Sequence, residues 1–214
     1  MGLGLVPLGL AFGVFVTQSG LDWWWASAFT SLIYAGSFEF LLVGLLGVLA
    51  PLTTIVLTAS LVNVRHVFYA LSFPLNRVQG GLPKAYSTFA LTDEAYALTT
   101  REQARSWSGR RILWLQGLLH LYWVGGATVG ALLGSLIPGS VKGLDFAMTA
   151  LFAVLAVDAV RERRGDLPTP VLALLSALAA RLVFPGQMLL GAFALFTVVL
   201  LARHMTSRRG TSHA

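Results

Sequence analysis

The chain has 214 residues, 56% of them hydrophobic and only 11% charged, with a mean hydropathy of +0.75. That is too little charge to cover a soluble domain of this length, and the apolar runs recur near the ~20 residues that cross ~30 Å of hydrocarbon as a helix. The formal charge of +6 does not indicate nucleic acid: the basic residues gather between the apolar runs, as in cytoplasmic loops, and no nucleic-acid motif accompanies them.

The composition therefore predicts an all-α polytopic integral membrane protein. With no cysteine, disulfides, thiolate metal sites and a cysteine nucleophile are excluded. Hydropathy predicts about seven transmembrane helices, at 3–19, 24–49, 51–73, 111–137, 145–160, 167–184 and 187–203. The opening "MGLGLVPLGLAFGVF" lacks the basic n-region and small-residue cleavage site of a signal peptide, and it reads as the first membrane helix of a chain whose native N-terminus can be longer. Asp22 begins the next helix, and Trp23, Trp24 and Trp25 form an interfacial aromatic anchor.

The second span is long enough to be tilted or broken, with its weak point at Gly36 in "YAGSFEF", residues 34–40. Gly36 and Ser37 would open the helix and offer a half-helix N-terminus to a carboxylate, or carbonyls to an ammonium group. Glu39 then has three readings: it meets an ammonium, pairs with Arg65 or Arg181, or carries a coupling proton. Tyr34 and Phe38 would receive an apolar side chain.

"SLVNVRHVFY", residues 60–69, puts Asn63, Arg65 and His66 in the third span. An arginine at the centre of a membrane helix costs about 2.5–3.5 kcal/mol on insertion scales, so it needs a partner, cavity or pathway. One straight helix cannot aim Asn63, Arg65 and His66 at one cavity. Either the helix unwinds near Asn63–Arg65, or Arg65 locks helices together while Asn63 and the titratable His66 line a path.

The polar connection from Pro74 to Arg111 carries Arg77, Lys84, Arg101, Arg105, Arg110 and Arg111, and is expected in the cytoplasm with "RERRGD" (161–166) and the tail. Counting crossings then puts the N-terminus outside and the C-terminus inside. Within the connection, "LTDEAYAL" (91–98) predicts a short helix with Thr92 at its start and Asp93 and Glu94 in its first turn. His120, in "LLHLYW", is expected to pack against Tyr122 and Trp123, and Asp145 to start a helix as Asp22 does.

A faint repeat is also present. "GLDW" (20–23) is echoed by "GLDF" (143–146), each after a G-x-x-x-G pair, Gly9/Gly13 and Gly126/Gly130, and "SLVNVRHVF" (60–68) aligns with "SALAARLVF" (176–184), matching Arg65 to Arg181. Three intervening spans would give the two units opposite orientation, the inverted repeat with broken helices that many secondary transporters use. The expected organisation is one transmembrane domain, 1–214: a first repeat over 3–75, a cytoplasmic connection over 76–110, a second repeat over 111–185, and a last helix and tail over 186–214. No P-loop, H-E-x-x-H or G-x-S-x-G occurs, so neither an enzyme nor a cofactor is expected.

"VPLGLAFGV" (6–14), "YAGSFEF", "LVNVRHVFYALS" (61–72), "LTDEAYAL" and "GLDFAMTALF" (143–152) stand in the order seen in AzlC-type proteins, which the chain resembles from about residue 4 to beyond 160. These are the large subunits of bacterial two-component branched-chain amino acid exporters. The resemblance implies proton-driven efflux of valine, leucine, isoleucine and similar amino acids across the inner membrane, with a small AzlD-type membrane partner. By motif it marks Asn63, Arg65, His66, Asp93, Glu94 and Asp145. Phe38-Glu39 departs from the Ala-Gln common in relatives, which puts substrate choice or proton coupling in question. The alternative is a membrane scaffold whose buried charges hold a partner transporter.

Overall fold

A computed structural model describes residues 2–137, 153, 156–157, 160–161, 168–184 and 188–210. Asp145 and the "GLDF" echo lie outside the described residues. All regular structure among the described residues is helical. The chain forms two compact units, Met1–Lys142 and Gly143–Ala214. In the second, α9 (Pro168–Val183) packs on α10 (Met188–Gly210), where Gly191 lets the backbone approach Phe184 and Ala180.

The first unit is built on α1 (Gly2–Gln18) and α8 (Gly109–Leu136). Lipid offers no hydrophobic drive for helix association, so membrane helices hold together by close backbone approach at small residues. Here a Cβ on Gly9 would lie 3.0 Å from the Ala127 nitrogen and the Trp123 oxygen, and one on Gly126 only 2.8 Å from the Val6 oxygen. A Cβ on Gly13 would overlap the Ala127 oxygen, and one on Gly130 the Leu10 oxygen. The two G-x-x-x-G pairs are thus the two halves of one interface. Phe12 and Val16 are buried beside it.

Partners along this interface advance together, from Gly9 with Trp123 and Ala127 to Gln18, whose Nε2 donates to the Gly134 oxygen at 3.1 Å. α1 and α8 are therefore parallel. This corrects the inverted relation expected between them, and the segments in between give the reason.

α2 (Trp23–Leu32) runs antiparallel to α8: Ser27 Oγ lies 2.7 Å from Thr128 Oγ1, and farther along α2 the Thr30 oxygen lies 3.2 Å from His120 Nε2. The helix ends there, and Tyr34 takes a left-handed φ of 49°. α3 (Gly36–Gly47) then turns back: Gly36 sits against Trp123, and Phe40 packs at 5.0 Å on Phe12 and 5.9 Å on Phe15. The second predicted span is therefore a helical hairpin, not one crossing.

α4 (Leu52–Asn63) and α5 (Arg65–Ser72) cross instead, interrupted only at Val64, whose dihedrals remain helical. The helix does not unwind at Asn63. Over 21 residues it is long and apolar enough to span a membrane, as is the 28-residue α8. Leu52, Val56, Leu57, Val67, Phe68 and Leu71 are exposed along it.

The polar connection is folded and forms a second hairpin. Gly109, at the start of α8, abuts the Arg77 carbonyl. From there α6 (Gly81–Phe89) follows α8 to Gln116 and His120, and α7 (Asp93–Thr99) returns alongside α5 until Arg77 Nη1 donates to the Ala104 oxygen at 2.8 Å. Phe73, Val78, Leu91 and Ile112 form the core at its base. The hairpins enter from opposite ends of α8, so 2–47 and 52–99 each read as one crossing helix followed by one hairpin, in opposite directions. Only α4–α5 crosses between α1 and α8, so α1 begins on the same side as the basic connection.

Two outcomes test this packing. Gly130→Val should destabilise the fold by about 1–3 kcal/mol by overpacking, read as a lowered unfolding midpoint in detergent. Gly44→Val, where a Cβ meets nothing within 4 Å, should have less than half that effect; equal effects would contradict the close α1–α8 contact. Gln116→Leu should cost about 1–3 kcal/mol, because it strands the Ser87 hydroxyl and the Ser87 and Ala90 carbonyls that Gln116 satisfies.

Candidate functional site

The two hairpin turns, Ile33–Ala35 and Ala90–Thr92, meet around His120. His120 lies eleven residues into α8, about 17 Å along the 28-residue helix. The Tyr34 ring stacks on the imidazole at 4.2 Å, and Phe89 and Tyr86 flank it at 5.8 and 6.2 Å. A carbonyl only accepts, so His120 Nε2 donates to the Thr30 oxygen freed at the end of α2, leaving Nδ1 to accept from the Tyr86 hydroxyl at 3.4 Å. His120 thus packs against the hairpin turns, not against Tyr122 and Trp123 as expected.

A left-handed non-glycine residue costs about 1–3 kcal/mol and persists only when its surroundings fix it. Around Tyr34 they do. Its ring is buried on His120, and the next residue is tied down by Glu39. Glu39 is fully buried in the first turn of α3, where its Oε1 accepts the Ala35 N–H at 2.8 Å and its Oε2 accepts the Trp123 indole N–H at 2.9 Å. A carboxylate in this turn also meets the positive end of the helix dipole. Its partners are an amide and an indole, so the expected pairing with Arg65 is not made.

Arg65 turns elsewhere. Its Nη2 lies 3.0 Å from Asp93 Oδ2 and 3.3 Å from Ser37 Oγ, which joins the crossing helix to the N-terminal turns of both hairpins' second helices. Asp93 Oδ1 accepts from the Tyr69 hydroxyl at 2.7 Å, and Tyr69 stacks on Tyr96 at 4.3 Å. Thr92 caps α7 as predicted, its hydroxyl accepting the Ala95 N–H at 3.4 Å. The Arg65 and Asp93 side chains keep 39% and 45% of their surfaces exposed, so the pair is not sealed in the core.

Two buried polar atoms at or next to this pair in sequence, Arg65 Nε and Asn63 Oδ1, make no hydrogen bond among the described residues. Buried groups of this kind are normally satisfied by protein or ordered water, and those that are not often mark functional positions. The arrangement offers a guanidinium, a carboxylate and an amide oxygen partway along the 21-residue apolar helix.

The structure therefore brings Ser37, Arg65 and Asp93 together, with Asn63 two residues before Arg65, Gly36 and Glu39 in the same helical turn as Ser37, and Tyr34 in the turn that precedes it. His66 lies next to the pair in sequence and meets Tyr69 edge-on at 5.7 Å, and Glu94 follows Asp93 in α7. Arg181 is exposed on α9 in the other unit, and Asp145 is outside the described residues. Gln116 went unrecognised, and His120 is expected only to pack against Tyr122 and Trp123, yet the spacing of four and three puts Gln116, His120 and Trp123 on one face of α8, a signal the sequence carries.

This same region is what known proteins share with the chain. The family model described as "AzlC protein" matches residues 1–137, which hold both hairpins and α8. The branched-chain amino acid transport protein AzlC of Bacillus subtilis is 36% identical over 159 residues, covering 72% of this chain and 62% of that protein. An uncharacterized membrane protein of Helicobacter pylori is 36% identical over 161 residues (73% and 69%), and the inner membrane protein YgaZ of Escherichia coli is 29% identical over 192 residues (85% and 77%). The match thus spans less than two-thirds of the Bacillus protein. No solved structure matches. Given a family match over most of its length and relatives this similar, the chain belongs to the AzlC family of membrane proteins.

Proposed function

We propose that the chain is the large subunit of a secondary transporter that exports branched-chain amino acids from the bacterial cytoplasm, and that the substrate binds where the two hairpin turns meet. The observation that carries this reading is the half-exposed Arg65–Asp93 pair partway along the 21-residue apolar helix. An amino acid is itself a carboxylate and an ammonium, so it exchanges with such a pair like for like. The substrate carboxylate takes Arg65, helped by the α3 N-terminal turn at Ser37, and its ammonium takes Asp93 and the Asn63 oxygen. Its aliphatic side chain lies against the stacked Tyr69 and Tyr96. This assignment replaces Glu39 as the ammonium partner, because Glu39 is buried behind the turn.

The rest of the reading follows from the family and the charge pattern. The basic connection faces the cytoplasm, efflux is coupled to the proton motive force, and a small AzlD-type membrane subunit completes the transporter in the inner membrane. The name of the Bacillus relative, a branched-chain amino acid transport protein, supports the substrate class. Two hairpins entering from opposite sides support alternating access, since each turn can shield the substrate from one side.

A scaffold role is the second reading, favoured by the exposed apolar face of α4–α5. Arg65→Gln and Asp93→Asn separate the two. Truncating one member of such a pair costs about 2–5 kcal/mol, so each variant should lose at least about thirtyfold in valine flux from reconstituted vesicles while still co-purifying with the small subunit. Wild-type flux in both variants would sink the substrate site; loss of co-purification together with flux would favour the scaffold.

A further inference from the structure

Both hairpins are latched to α8 by one side chain, and the two latches differ in chemistry. The α6–α7 hairpin is held by Gln116, whose Nε2 donates to the Ser87 and Ala90 carbonyls at 2.8 and 3.1 Å and whose Oε1 accepts the Ser87 hydroxyl at 2.7 Å. An amide does not titrate, so this latch is indifferent to protons. The α2–α3 hairpin is held by Glu39 through the Trp123 indole, and a carboxyl group does titrate.

We propose that Glu39 is the proton-carrying residue of the transporter, and that its protonation releases the α2–α3 hairpin from α8. This rests on the transport reading above. Each Glu39 oxygen accepts one N–H, from Ala35 and from Trp123, which is the pattern of an ionised carboxylate. A proton taken from the aqueous phase onto either oxygen makes that oxygen an O–H donor and a poorer acceptor, so one of the two N–H bonds weakens. If it is the Trp123 bond, the hairpin's hold on α8 weakens; if it is the Ala35 bond, the turn itself loosens.

Among the described residues, no cation lies within ion-pair distance of Glu39. α1, α2 and α4 carry no Asp, Glu, His, Lys, Arg or Tyr. α8 contributes His120, the turn Tyr34 and α6 Tyr86, all engaged in the ring cluster; α5 contributes Arg65, His66 and Tyr69, and α7 Asp93, Glu94 and Tyr96, with Arg65 paired to Asp93, Tyr69 donating to Asp93 and stacked on Tyr96, and His66 edge-on to Tyr69. The coupling to substrate is short. Ser37, which touches Arg65, and Glu39 lie two residues apart in one helical turn, so a movement of that turn reaches proton and substrate sites together.

The test uses valine flux in vesicles containing the protein and its small subunit. Glu39→Gln keeps the side chain's shape but carries no exchangeable acid proton. Valine accumulation driven by an imposed pH gradient should fall at least about tenfold. Gradient-driven accumulation equal to wild type would overturn the proposal. A second measurement leaves Glu39 in place. The chain has no cysteine, so Ile33→Cys reports the α2–α3 turn and Thr88→Cys the α6–α7 hairpin. Between about pH 8 and pH 5.5, thiol-corrected labelling should quicken about fivefold or more at Cys-substituted position 33 and hardly at position 88. A pH-independent rate at position 33 would overturn the proposal even if Glu39→Gln does not fold. Absence of valine flux in the unsubstituted protein would instead fail the transport reading, and the labelling would still decide the latch.

Discussion

The fold turns on the need to satisfy a peptide backbone where it reverses inside a membrane. Lipid provides no hydrogen bonds, so non-helical backbone at that depth survives only when protein groups complete it. At the first reversal Glu39 takes the Ala35 N–H and His120 the Thr30 carbonyl; at the second, Gln116 takes two carbonyls and Thr92 caps the returning helix. Three of these four side chains are fixed by other elements or are themselves on α8. That helix is in turn placed by glycine contacts with α1, which makes the apolar pair α1–α8 the frame for a polar site.

The charged pair then follows from this frame. Arg65 is tolerable at depth because both hairpins deliver a polar helix start to it, Ser37 from α3 and Asp93 from α7. Such a pair is costly to bury and is left about half exposed, with unpaired polar atoms at its side. A purely structural bolt would be expected to satisfy Arg65 Nε and Asn63 Oδ1 as well. Leaving them unmet suits a site whose occupant carries both charges.

Much of this was legible in residues and some was not. The polar side chains at depth, the weakness at Gly36 and the Thr92 cap could be read directly, since each breaks a local rule of apolar helices. The reversal at Tyr34 could not, because α2 and α3 are both apolar and the turn between them needs no polar loop when Glu39 and His120 complete it. Hydropathy therefore sums two short helices into one span, and the expected inverted relation of α1 to α8 inherits that reading. The α6–α7 hairpin was hidden for the opposite reason: its helices are short and polar enough to read as loop, and Gln116 supplies the compensation from elsewhere in the chain.

The reversal is the central claim, and the sidedness of thiol labelling tests it most directly. In the cysteine-free chain, single cysteines in place of the exposed Ser19, Leu49, Gln79 and Ser106 can be probed in intact cells with an impermeant reagent. The account predicts that positions 19 and 49 share one side of the membrane and positions 79 and 106 the other. Positions 19 and 49 on opposite sides would mean that residues 24–49 cross once, and would contradict it.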